Sequence, residues 1–319
     1  MSSAAPSTRP VATTARAKVN TYTARDGSTR DLELAYDVIG TQGTPLVLIM
    51  GIGAQRIFWD DHFCNLLVAA GFRVIRFDNR DVGQSTHLDA HVPPPWPTLA
   101  RGLARLHLDV PYTLSDLARD TVGLLDALSI DRAHVVGASL GGMVGQHLAI
   151  EHPHRLASLT AIMTSPGGRR YMPQPKAFGA LFAGVPKTAE EAGLHVERLF
   201  TTIGGRAWPV DGARLRVLGA EAYSRGSNPR GFLRQFAAVL ASGDRAESLP
   251  TVRTPTLVIH GSHDPMFPLS AGRRLANLVE DGTWLPITGM GHDMPPPLWP
   301  TLVSAIKRHA ERAESRAKV

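Results

Sequence analysis

Six short, mostly apolar runs of strand length constrain this chain more than any other feature: Leu46–Met50, Arg73–Phe77, Ala133–Gly137, Leu156–Met163, Thr256–His260 and Thr283–Pro286. Near-continuous apolar runs, rather than runs of alternating polarity, mark strands covered on both faces, which is the situation of a parallel sheet. Helical stretches lie between them at Asp60–Ala70, Leu114–Leu128, Leu140–Glu151, Leu269–Val279 and Pro297–Arg312. Strand and helix in alternation predict an α/β fold with helices on both faces of the sheet. An opening pair, Val19–Ala24 and Arg30–Val38 around Asp26-Gly27, reads as a hairpin and brings the expected sheet to eight strands.

Two stretches interrupt the alternation. Thr86–Pro111 contains Pro93-Pro94-Pro95-Trp96-Pro97 and reads as an extended loop with one short helix after the prolines. The stretch at roughly 169–249 separates two strands and shows three helical patterns, around 188–202, 211–224 and 229–242. It is too long for a loop and short for an independent domain, so it is expected to be a helical cap over the sheet. The expected organisation is a flexible tail at 1–18, a core at 19–168, the cap at 169–249 and the rest of the core at 250–319.

The net charge of +6 resembles a nucleic-acid signal until it is located. Residues 1–19 hold Arg9, Arg16 and Lys18 without an acid, and residues 307–319 carry the rest of the excess, so the body is neutral. A nucleic-acid groove needs its positive charge in the folded body, and that class is set aside. The single cysteine, Cys64, excludes an internal disulfide framework and a cysteine-rich zinc site, and on a helix it reads as a small core residue. No apolar run reaches the ~18 residues of a membrane helix, and the N-terminal tail lacks the apolar segment of a secretory signal. A cytoplasmic protein, monomer or homodimer, is expected.

The sharpest local signal is Gly137-Ala138-Ser139-Leu140-Gly141, a G-x-S-x-G that ends an expected strand and opens an expected helix. Its chemistry has a steric basis. A serine nucleophile exposed on a sharp strand–helix turn needs flanking residues without side chains, because a Cβ there would strike the neighbouring backbone.

Together, VVGASLGGM, FRVIRFDNRDVGQS, GSHDP and GMGHDMP make the chain resemble an α/β-hydrolase with a serine nucleophile, over roughly 31–168 and 250–305. LIMGIG followed by FWDD and RFDNRDVGQS is most similar to the bacterial esterase branch that includes aclacinomycin methylesterase. A serine hydroxyl needs a base within hydrogen-bond reach and a third group to orient that base. The resemblance implies the chain order Ser, acid, His. Asp264, just past the strand Thr256–His260, occupies the acid's place, with Asp293 as a competitor. His292, between the last strand and last helix, occupies that of the base.

The resemblance also implies an oxyanion hole of backbone N–H groups, one from Leu140 at the helix N-terminus and one from Ile52 in the loop after Leu46–Met50. Relatives often carry His-Gly in that loop, whereas this chain has Met50-Gly51-Ile52-Gly53, which leaves open what holds it in place. Asp78 and Arg80 are expected to form an ion pair bracing the loop beneath the site. Ser85 reads as a turn residue, and Asp81 stands where glycine is common in relatives. Met50, Met143, Met266, Met290 and Met294, with Phe58 and Trp59, are candidates to line an apolar pocket, or equally for the core.

No dinucleotide fingerprint, Walker A motif or metal-spaced cluster occurs, so no cofactor and no metal are expected. The expected activity is hydrolysis of a small-to-medium, apolar carboxylic ester, the partner being that small molecule. The alternatives are thioester, lactone or carbon–carbon bond hydrolysis with the same residues, and a ligand-binding protein that turns over slowly.

Overall fold

Alternate side chains along a strand point to opposite faces, so an apolar run can build two cores at once. In the computed structural model, which describes residues 14–316, strand β3 (Thr44–Ile49) does this. Val47 and Ile49 enter one cluster, and Leu46 and Leu48 the other, all without solvent exposure. Each buried aliphatic side chain of this size stabilises the fold by about 1.5–3 kcal/mol relative to exposure.

The remaining strands are β1 (Ala15–Thr23), β2 (Thr29–Ile39), β4 (Phe72–Phe77), β5 (Ala133–Ala138), β6 (Leu156–Ile162), β7 (Thr256–Gly261) and β8 (Gly282–Ile287). They form one eight-stranded sheet in the order β1-β2-β4-β3-β5-β6-β7-β8. The β1–β2 and β2–β4 pairings are antiparallel, and every pairing from β4 to β8 is parallel. The hairpin between β1 and β2 turns through Asp26-Gly27 with Gly27 at φ 80°, and Thr23 pairs with Thr29. The first strand opens at Ala15 rather than Val19, so residues 15–18 of the expected tail are already in the sheet. Residues 1–13 of that tail lie outside the described residues.

Helices α1 (Asp61–Ala69) and α10 (Trp299–Arg316) cover one face of the sheet. Helices α3 (Leu114–Ala127), α4 (Leu140–Glu151) and α9 (Leu269–Leu278) cover the other. Helix α2 (Pro95–Leu103) corrects the expectation of a loop through the prolines, since the helix begins inside that run. Pro95 is its first residue, where a missing N–H costs nothing and φ is already helical.

Between β6 and β7 lie the four cap helices, α5 (Pro175–Leu181), α6 (Ala189–Ile203), α7 (Gly212–Arg225) and α8 (Pro229–Ala241). The last three match the expected patterns within a residue or so. The first lies outside the three expected patterns, in the proline-rich start of the stretch, with Pro175 as its first residue. It is held by tertiary aromatic contacts, with Phe182 ring centroids 5.5 Å from Trp96, 5.5 Å from Phe232 and 5.2 Å from Phe236. A buried ion pair fixes the cap to the core: the Arg234 guanidinium on α8 donates to both carboxylate oxygens of Asp81, at 2.6 and 2.8 Å.

Candidate active site

Ser139 stands between β5 and α4 with φ 54° and ψ −115°, a conformation that non-glycine residues rarely adopt. The flanking glycines make the turn possible. A Cβ on Gly137 would stand 2.2 Å from the Gly141 carbonyl oxygen, and one on Gly141 would stand 2.0 Å from that of Ile49. The turn is held by the Ser139 N–H donating to the Ile162 carbonyl at 2.9 Å and by Thr164 Oγ1 donating to the Ser139 carbonyl at 2.8 Å. Backbone strain of this kind persists only where surrounding bonds over-determine it.

Three elements far apart in the chain bring their side chains to this turn. His292, in the loop after β8, places Nε2 3.0 Å from Ser139 Oγ. Its Nδ1–H donates to Asp264 Oδ2 at 2.8 Å, leaving Nε2 to accept the serine proton. Asp264, in the loop after β7, is oriented by Met266 and Phe267 N–H groups, which donate to its Oδ1 at 2.8 and 3.0 Å. The competitor Asp293 turns elsewhere, its Oδ1 accepting from the N–H groups of Gly205 and Gly291 at 3.1 and 3.2 Å. Burial pushes the Asp293 carboxyl above its ordinary pKa.

One contributor was not anticipated. His260, four residues before Asp264 on β7, is fully buried, and its Nε2–H donates to the Phe267 carbonyl at 3.0 Å, with Asp264 Oδ2 at 3.4 Å. Burial lowers its pKa and keeps the imidazole neutral. Its place at the strand end beside the acid was the available signal.

Ile52 sits in a turn closed by the Ala54 N–H donating to the Gly51 carbonyl at 3.2 Å. This turn passes close to the serine, since a Cβ on Gly51 would be 3.4 Å from Ser139 Cβ. Leu140 is the first residue of α4, so its N–H belongs to the free amides at a helix N-terminus. Neither the Ile52 nor the Leu140 N–H is taken up by the hydrogen bonds of these turns.

The expected Asp78–Arg80 pair does not form. Asp78 is bound instead by the guanidinium and by the backbone N–H of Arg56, the latter at 2.6 Å. Arg80 donates to both oxygens of Asp120 on α3, each at 2.6 Å. Neighbours in sequence on this loop point in different directions, and each finds its counter-charge on a different element. Ser85 does serve the turn, donating to the Asp78 carbonyl and accepting from the Ala35 N–H at 2.9 Å.

A cavity of about 450 Å³ opens from Ser139 and His292 into the space between the sheet and α6, α7 and α8. Met50, Met266 and Met294 line it with Phe58 and Trp59, and Met163 joins them. Met143 and Met290 lie in the core instead. From the cap come Leu199, Phe200, Leu215 and Phe232, which make the far wall mostly apolar, with His195 and Asn228 among its polar members. Arg214 is a charged group on that wall, paired with Asp60 at 3.2 Å. Cys64 is buried away from the cavity in the core, where loss of hydration pushes its thiol pKa up to about 12. Among the described residues no cluster could hold a metal ion, and no helix is long and apolar enough to cross a membrane.

Comparison with known proteins agrees with this architecture. The chain is 30% identical over 295 residues to rhodomycin D methylesterase DnrP of Streptomyces peucetius, covering 84% of this chain and 91% of that protein. A thermophilic esterase from Thermogutta terrifontis superposes with a TM-score of 0.67 at 22% identity, over 94% of this chain and 99% of that one. A meta-cleavage product hydrolase from Pseudomonas fluorescens gives 0.69 at 19% identity, over 93% and 98%. The family model described as the alpha/beta hydrolase fold matches residues 44–295. This chain therefore belongs to the α/β-hydrolase family.

Proposed function

We propose that the protein hydrolyses a carboxylic ester of a small-to-medium, apolar substrate through an acyl-enzyme. The observation that carries this reading is the hydrogen-bond relay from Ser139 through His292 to Asp264, opening on an apolar cavity. Ser139 Oγ attacks the ester carbonyl while His292 Nε2 takes its proton. Asp264 fixes the imidazole tautomer and stabilises the cation that forms. The Ile52 and Leu140 N–H groups receive the developing oxyanion. His292 then protonates the departing alcohol, and water repeats the sequence to free the acid and restore Ser139. A relative whose name makes it a methylesterase supports an ester with a small alcohol. The apolar wall between α6, α7 and α8 then takes the acyl portion.

The test is steady-state hydrolysis of p-nitrophenyl esters from acetate to palmitate, with Ser139→Ala as control. Turnover should fall by about 10³–10⁶ in the variant, and the chain-length optimum should report the depth of the cavity. Ser139 labelled by a fluorophosphonate without ester turnover would move the assignment to thioesters, lactones or a slow binding protein. Absence of both would refute the nucleophile.

A further inference from the structure

We propose that Gln235, on cap helix α8, is a positioning residue for the oxyanion loop; this rests on the hydrolase reading and on Ile52 as a donor. Met50-Gly51-Ile52-Gly53 carries no polar side chain with which to fix its own turn. Within the turn the Ala54 N–H reaches the Gly51 carbonyl at 3.2 Å, and from the core Asn79 Nδ2 reaches the Met50 carbonyl at 3.4 Å. The shortest bond to the loop comes from the cap, where the Gly53 N–H donates to Gln235 Oε1 at 2.8 Å. The other end of the same amide donates from Nε2 to the Arg80 carbonyl at 3.0 Å.

Gln235 has no solvent exposure. It thus joins the oxyanion loop to the loop after β4, and an amide can serve because it accepts at one end and donates at the other. A carboxylate would set an acceptor against the Arg80 carbonyl, and an aliphatic side chain would leave that buried carbonyl unpaired.

The geometry explains why the turn needs this support. Gly53 has φ 65°, and turns with a positive φ at that position interconvert with the ordinary form by flipping the peptide before it. A flip of that peptide would turn the Gly53 N–H away from Gln235 and reset ψ of Ile52, so the Gln235 bond holds the residue that bears the oxyanion donor in one conformation. Gly53 is exposed at the cavity. Water would therefore replace Gln235 as a partner there, without fixing an orientation. The support is itself rigid. The adjacent Arg234 is held by Asp81, and Phe232 of the same helix lies against Gly53, 2.9 Å from where a Cβ would stand.

The test compares Gln235→Leu with the unaltered protein, using the best p-nitrophenyl ester and an alkyl trifluoromethyl ketone. The ketone's adduct with Ser139 places an oxyanion in the hole. Loss of donor orientation should lower kcat/KM and ketone affinity together by about ten- to a hundredfold, with KM within about threefold. A fall in kcat/KM with ketone affinity unchanged would show only a loosened cap and overturn the proposal, as would undiminished kcat/KM. Should Gln235→Leu not fold, Gln235→Met, flexible and similar in volume, is read by the same two ratios. Turnover retained by Ser139→Ala overturns the nucleophile and this proposal with it, whereas an inert Ser139→Ala beside an unaffected Gln235 variant overturns this proposal alone.

Discussion

Replacing Arg234 by Met keeps the methylene stem and removes the guanidinium, which isolates the charge of Asp81. The Asp81 side chain is fully buried and that of Arg234 is 3% exposed, so water cannot take over the lost bonds without opening the interface between α8 and the core. Asp81 would keep the Tyr112 hydroxyl at 2.9 Å and the Leu88 N–H at 2.8 Å, which soften the loss without neutralising the charge. Breaking a buried pair on one side costs about 3–5 kcal/mol. An unfolding entropy of ~2.1 cal/mol/K per residue over 319 residues gives about 0.7 kcal/mol per degree, hence a melting-point drop of about 5–7 °C. Scanning calorimetry at neutral pH measures it. Asp81→Asn combined with Arg234→Met removes the stranded charge and should recover about 2 kcal/mol of the loss. A shift under 1 °C for Arg234→Met, or a double variant whose loss equals the sum of the two singles, would refute the reasoning.

Three further outcomes are expected. His309 is buried, its Nε2–H donating to the Leu159 and Pro255 carbonyls, and burial lowers its pKa to about 4. The unfolded state therefore takes up the proton first, so stability present above pH ~6.5 declines as pH falls towards ~4, by about 3 kcal/mol from this group. Unfolding midpoints against pH should show that slope, and it should flatten in His309→Gln, which keeps an N–H donor but cannot protonate. Cys64 should resist iodoacetamide in the native protein and react fully in urea, since its raised pKa leaves almost no thiolate; rapid native labelling would contradict the burial. Asp293→Ala frees the Gly205 and Gly291 N–H groups that hold the His292 loop against the end of α6, and should lower kcat by about tenfold. Asp293→Asn keeps the accepting oxygen and should retain most of the rate, and equal kcat for the two variants would show that the acceptor is not what matters.

What the sequence discloses follows from how local each cause is. The strands of the parallel sheet are legible because double burial demands an apolar run, and Ser139 because its turn forbids side chains at Gly137 and Gly141. Asp264 and His292 could be nominated by their place after particular strands, and the structure sets His292 beside Ser139 and Asp264 beside His292. Charge partners are a different matter. Arg56 meets Asp78 and Arg80 meets Asp120 across 22 and 40 residues, and Arg234 meets Asp81 across 153. No periodicity encodes such distances, so nearness in sequence does not identify a charge partner. Helix α5 was missed because its aromatic contacts come from α2 and α8, and Gln235 because nothing within α8 distinguishes it from a surface glutamine.

The parallel pairing of β6 with β7 also shapes how the chain is born. Ninety-three residues separate Ile162 from Thr256, and the whole cap lies within them. At a synthesis rate of ~5–20 residues per second, the partner of β6 leaves the ribosome about 5–20 s after β6 itself. During that interval the nascent chain displays Leu156–Ile162 as an open apolar edge, a template for pairing with other chains. Helix α4 and the emerging cap are its available cover, so slowing translation through the cap should raise the demand for chaperones, and speeding it should lower that demand.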